Sequence, residues 1–159
     1  MNMDEDLDFN FAASGTIYGA RAVMLDRTTQ GACLLGTNNA MCVGVTPQQS
    51  EFAPGMIGNT STPFPLAEAG TPSGFASGSV TNVPVYGPAR RCLIDVDPAM
   101  GGQIRPGDLI ISSTLGYATR AGLSGPWNQW IIGIALSFAS AGQSLNIKVW
   151  IFPWQPTGS

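Results

Sequence analysis

Apolar and polar positions alternate along much of this chain with the period of two that a half-buried β-strand requires. The pattern is clearest near the C-terminus, where Leu145, Ile147, Val149 and Ile151 fall on one side and Asn146, Lys148 and Trp150 on the other. Shorter apolar runs over 21–26, 32–35, 41–45, 80–86, 91–96, 109–112 and 131–136 predict further strands. Turn residues separate them: Thr28-Thr29-Gln30-Gly31, Gly36-Thr37-Asn38-Asn39, Gly101-Gly102 and Pro106-Gly107. A hairpin turn at Asn38-Asn39 would set Cys33 and Cys42 diagonally across two strands, too far apart for a relaxed disulfide. No helical period persists for ten residues, although 135–141 has room for a turn or two of helix. Many short strands with Gly and Pro turns predict an all-β fold, a compact β-barrel or β-sandwich.

Three segments stand outside this pattern. Residues 1–13 read as an extended acidic N-terminal arm, with Asp4, Glu5 and Asp6 leading into Leu7, Phe9 and Phe11 at alternate positions. An arm of this kind either pairs as an added strand on another chain or frays. In the first case these six residues are the partner contact, and removing 1–13 should leave the fold intact. Within the single β domain of 14–152, residues 46–80 form a long irregular loop rich in Gly and Pro. Loops of that length are usually functional or disordered, and its scattered Phe residues suit docking on a neighbour. The tail 153–159 opens with Pro153, which cannot continue a central strand.

Composition narrows the function. Charged residues are 11% of the chain, against about 25% in ordinary soluble domains. Either Ser, Thr, Asn and Gln supply the polar surface, or partners cover much of it, as in obligate oligomers. The net charge of −3 gathers at the N-terminus, and no basic stripe suits nucleic acid. No apolar run is long enough to span a membrane as a helix, and the first residues do not resemble a secretory signal.

Two stretches share an order of parts. The first is Ala22-Val23-Met24-Leu25-Asp26, Gly31-Ala32-Cys33-Leu34 and Val43-Gly44-Val45-Thr46. The second is Leu109-Ile110-Ile111-Ser112, Gly116-Tyr117-Ala118-Thr119 and Ile132-Gly133-Ile134-Ala135. Duplication of a small β unit or chance likeness of short strands accounts for them. Parts of these segments, Val23-Met24-Leu25-Asp26, Val43-Gly44-Val45-Thr46 and Ile132-Gly133-Ile134-Ala135-Leu136, with Gly15-Thr16-Ile17, Pro106-Gly107-Asp108-Leu109-Ile110, Ala139-Ser140-Ala141-Gly142-Gln143 and the strand at 145–151, resemble small capsid decoration (cement) proteins of phages. The resemblance spans most of 15–151. It implies a compact β fold, commonly a homotrimer, placed on the outer capsid surface over junctions of the major capsid protein. It implies no catalysis and no cofactor, with assembly in the host cytoplasm. Gly107, Asp108, Gly133 and Gly142 are then structural.

The chemistry agrees with a non-enzyme. There is no histidine, so the commonest general base and metal ligand is missing. Cys33, Cys42 and Cys92 lack zinc spacing and read as reduced, buried side chains. Asp95 and Asp97 would share a strand face, a catalytic pair or a solvated strand end beside Arg90 and Arg91. No loop of oxygen ligands accompanies them, so no metal is expected. Four tryptophans, Trp127, Trp130, Trp150 and Trp154, are candidates for an oligomer interface, with Trp150 foremost because it opposes the apolar side of its strand. Exposed tryptophans also stack on sugars, and the alternative reading is a carbohydrate-binding β domain, virion-attached or secreted.

Overall fold

The computed structural model describes residues 8–48, 74–75, 83–122, 128–140 and 146–154. Twelve strands run in chain order. They are β1 (Asp8–Ala13), β2 (Ile17–Tyr18), β3 (Ala22–Leu25), β4 (Ala32–Leu35), β5 (Gly44–Val45) and β6 (Gly74–Phe75), then β7 (Val83–Tyr86), β8 (Arg91–Asp95), β9 (Leu109–Ser112), β10 (Ala118–Arg120), β11 (Ile131–Ala135) and β12 (Asn146–Trp154). A 3-10 turn at Thr114–Gly116 joins β9 to β10, and there is no α-helix among the described residues. The turn or two of helix for which 135–141 has room does not form over the described 135–140, where Ala139 bridges Ile104.

The strands form two units with one plan. In the first, β1-β4-β3-β5-β7 close into a barrel. In the second, a five-stranded sheet runs in the order β10-β9-β11-β12-β8, and one isolated parallel bridge, Val96 with Ala118, brings its two edges together as a less fully closed barrel. Substituting β8 for β1, β9 for β3, β10 for β4, β11 for β5 and β12 for β7 turns one order into the other. The registers agree as well. Val45 lies opposite Tyr86 and Ile134 opposite Trp150. Leu25 faces Cys33 and Ser112 faces Ala118. The parallel contact that closes the first barrel, Ala13 with Cys33, returns as the bridge of Val96 with Ala118. The two sequence stretches are therefore equivalent residue for residue, as duplication of a β unit predicts.

The conserved glycines of that plan are steric necessities. A Cβ on Gly44 would stand 2.2 Å from the Tyr86 carbonyl oxygen, and one on Gly133 would stand 2.1 Å from that of Trp150. Gly31 and Gly116 end the equivalent turns with φ of 73° and 71°, a left-handed conformation that glycine adopts without strain.

Each barrel fills its interior with the inward side of its strands. The first encloses Val23, Cys33, Val83 and Val85, with Phe11 and Leu35 packed against them. The second encloses Ile94, Ile110, Ile132, Ile147, Val149 and Ile151, none more than 1% exposed. Each such side chain stabilises the fold by about 1.5–3 kcal/mol relative to leaving it in water. Ala22 and Val45, on the outer side of the first barrel, join the second cluster, which makes the two barrels one packed body.

Several expectations change. The arm drawn over residues 1–13 is, from Asp8 onward, strand β1 of this chain's own barrel. Phe9 and Phe11 pair there with Val85 and Val83. A strand was anticipated from the alternation, but it is added within the chain because β4 and β7 otherwise leave a gap. The turn at Asn38-Asn39 exists, with Ala40 N–H bonded to Thr37 O at 3.1 Å. It makes no hairpin, because β3 lies between β4 and β5. Strand β12 runs on through Pro153. Its pairing with β8 ends at Trp150 opposite Arg91, while the pairing with β11 reaches Trp154. On the β8 side Ile151 still bonds Arg90 O and Ala89 N–H, both at 2.9 Å, and Pro153 follows these bonds, where proline is tolerated.

Candidate interaction surface

Strand β12 alternates without a break: Asn146, Lys148, Trp150, Phe152 and Trp154 are exposed, while Ile147, Val149 and Ile151 are buried. The outer side thus carries three aromatic rings in succession, 41%, 53% and 40% exposed. Trp150 and Phe152 meet edge to face with ring centroids 6.0 Å apart. Neighbouring strands extend the patch. Ile134 lies opposite Trp150, Leu109 lies opposite Ile134, and Leu136 at the end of β11 is 40% exposed. Lys148 and Arg91, both exposed, give this face a basic edge.

Trp154 also borders a groove of about 250 Å³, lined by Met41, Cys42, Val43, Pro88, Trp130, Ile131, Pro153 and Trp154. Its lining has no charged or amide side chain, so it suits an apolar side chain rather than a polar ligand. Asn39 fixes one wall, its Oδ1 accepting from Trp130 N–H at 2.7 Å and its Nδ2 donating to Asn128 O at 2.9 Å.

Arg21 locks the two barrels beside this surface. It is 2% exposed, and its guanidinium lies 3.4 Å from the Tyr117 ring centroid and 5.6 Å from that of Tyr18. Its Nε pairs with Asp95 Oδ2 at 3.1 Å, and another of its nitrogens donates to Leu115 O at 3.3 Å. Burial raises the Asp95 carboxyl, and the Arg21 charge opposes that rise. Asp97, two residues on, accepts from Ala99 N–H at 2.8 Å and from the Ser113 hydroxyl. The two carboxylates therefore hold the fold together at separate points rather than converging on one position.

The three cysteines are free and buried. Cys33 lies in the first barrel's cluster, Cys42 and Cys92 in the second. Burial pushes the Cys33 thiol up to about 11 and the Cys42 thiol up to about 12, so neither is a poised nucleophile. No metal-binding group of three or more acidic, cysteine or histidine side chains occurs among the described residues.

Of the residues singled out from sequence, Trp130, Trp150 and Trp154 fall on one continuous surface. Trp127, Asp4, Glu5, Asp6 and Leu7 lie outside the described residues, as does nearly all of the 46–80 loop. Phe11 is packed against the first barrel's own core. Phe152 and Leu136 were missed. Continuing the outward alternation two residues past Trp150 would have found Phe152, but Pro153 argued for an earlier stop.

No protein-family model matches the chain, and no curated protein matches its sequence. Among solved structures it is similar to the N base of head fiber gp8.5 in bacteriophage phi29, with a TM-score of 0.57 and 16% sequence identity. The match covers 92% of this chain and 93% of that one, and so extends over both barrels.

Proposed function

We infer that this chain is a non-enzymatic structural protein of a phage head, which binds the outside of the assembled shell as an oligomer. The observation that carries this reading is the fold shared over nearly the full length with the base of a phage head fiber. The apolar face of β12 and the sparse charge support the oligomer: such a face is what a partner covers. The major capsid protein is the proposed partner on the shell. The insertion between β5 and β7 spans 46–82, where the equivalent connection between β11 and β12 spans only 136–145. That extra length in one barrel, together with the acidic Asp4, Glu5 and Asp6 and the apolar Leu7, is the proposed capsid contact. Binding only the assembled shell stabilises it by mass action, by about 2.7 kcal/mol per site at a hundredfold excess over Kd.

The test is co-sedimentation of the purified protein with undecorated heads, with heat release of DNA as a second readout. Saturable binding that raises the release temperature is expected. Protein left in the supernatant at micromolar concentration would overturn the reading. The carbohydrate alternative draws on Trp150 and Trp154 alone, and the apolar groove beside them offers a sugar few hydrogen bonds. A glycan array separates the two, since a head protein of this kind should show no sugar preference.

A further inference from the structure

The duplicated plan contains a worked example of how this fold covers its outer face. In the first barrel, Ala22, Val45 and Tyr86 form one outer row across β3, β5 and β7. The second barrel covers that row: Ala22 and Val45 are fully buried, and Tyr86 packs against the same cluster. The covering element beside Ala22 is the 3-10 turn. A Cβ on Gly116 would stand 2.3 Å from Ala22 O, and Gly116 N–H donates to Gly36 O at 2.7 Å.

The equivalent row of the second barrel is Leu109, Ile134 and Trp150. Each is larger than its counterpart, and none of the three is buried. An outer sheet face meant for water alternates to polar side chains; this one does not. The equivalent of the covering turn is the stretch from Arg27 to Gly31, every residue of which is exposed. Among the described residues each chain therefore carries one outer row that is only partly covered, Leu109 packing against Ile111, Ala121 and Ile131, and one exposed turn, the counterparts of two elements that meet internally.

The geometry points to a head-to-tail self-association in which the Leu109–Ile134–Trp150 row of one copy seats the Arg27–Gly31 turn of the next. This rests on the oligomer half of the proposed function and supplies its interface. A head-to-tail contact between chains of two like barrels closes into a ring when the rotation allows. The internal contact sets the rotation from barrel to barrel.

The test is site-directed cross-linking of the full-length chain. Leu109→Cys and Gln30→Cys are made singly, mixed, and oxidised mildly, since the turn lies beside Ala22, the counterpart of Leu109; the buried native thiols should remain unreacted. A disulfide-linked dimer only in the mixture is expected. Trp150→Asp should reduce the mass by light scattering to that of a monomer with unchanged circular dichroism. Leu109→Cys linking to itself would overturn the inference in favour of a two-fold contact. A Trp150→Asp protein that keeps the wild-type oligomeric mass would also overturn it while leaving the oligomer intact. Loss of head binding at unchanged mass would assign the face to the capsid and overturn it too. A wild-type monomer at high concentration would remove both this inference and the oligomer.

Discussion

The Ser14 hydroxyl donates to the Asp26 carboxylate, tying the end of β1 to the end of β3. The equivalent positions in the second barrel are Asp97 and Ser113, and the same bond is made with donor and acceptor exchanged. Both pairs brace the place where a barrel closes through its parallel contact: Ser14 N–H bonds Cys33 O at 3.0 Å, and Asp97 N–H bonds Ala118 O at 2.9 Å. The geometry needs one hydroxyl and one carboxylate, and the two barrels satisfy it in opposite order.

The exchange predicts a rescue. Ser14→Ala and Asp26→Ala should each lower the urea midpoint, whereas Ser14→Asp with Asp26→Ser should recover most of the loss. The Ser14 hydroxyl, followed by the Thr28 amide, holds the Asp26 carboxyl well below the usual carboxylate range. Because that pKa is depressed in the fold, the stabilisation is present above about pH 4 and is lost as pH falls further. The swapped protein should lose this acid sensitivity at position 26. Purely additive single and double variants would refute the coupling.

Arg21 should be the costliest single side chain at the junction of the barrels. Arg21→Ala removes a buried cation from between Tyr117 and Asp95 and leaves the Leu115 carbonyl unpaired. A loss of roughly 3 kcal/mol is expected by urea denaturation. Arg21→Lys should recover little of it, because an ammonium cannot both stack on the ring and reach two acceptors. Full recovery with lysine would mean that charge alone matters there.

Alkaline pH should destabilise the protein through its buried thiols. Cys33 and Cys42 hold their protons in the fold up to about 11 and about 12, whereas unfolded thiols ionise near 8.5. With the folded values raised, stability is complete below about pH 8.5 and falls above it by about 1.4 kcal/mol per unit for each thiol. Urea midpoints at pH 7.5 and 10 measure this. Cys42→Ala should show a shallower fall, and an equal fall in the variant would exclude Cys42 as a contributor.

Truncation separates strand from leader. Removing residues 1–13 takes away β1, with Phe11 and Ala13 from the first core, so the protein should lose cooperative unfolding. Removing only 1–7 should preserve the circular dichroism and thermal transition while weakening binding to heads. A stable, head-binding protein lacking 1–13 would show that the first barrel closes without β1.

Local alternation determined most of the strands, because a half-buried strand writes its period of two into the sequence wherever it lies. The duplication was legible for a similar reason: Gly44 with Gly133 and Gly31 with Gly116 mark positions where backbone geometry leaves no choice. Closure was not legible. Whether Phe9 and Phe11 pair with another chain or with Val85 and Val83 depends on a gap between β4 and β7 that no local pattern records. The fate of the outer rows was equally hidden. Ala22, Val45 and Tyr86 read in sequence much like Leu109, Ile134 and Trp150, yet Ala22 and Val45 are fully buried and Tyr86 half-buried, whereas Leu109 and Ile134 are half-buried and Trp150 is exposed. Sequence determines that a residue is apolar and which side of its strand it takes. Only the packing of one barrel on the other decides which apolar side is covered and which stays exposed.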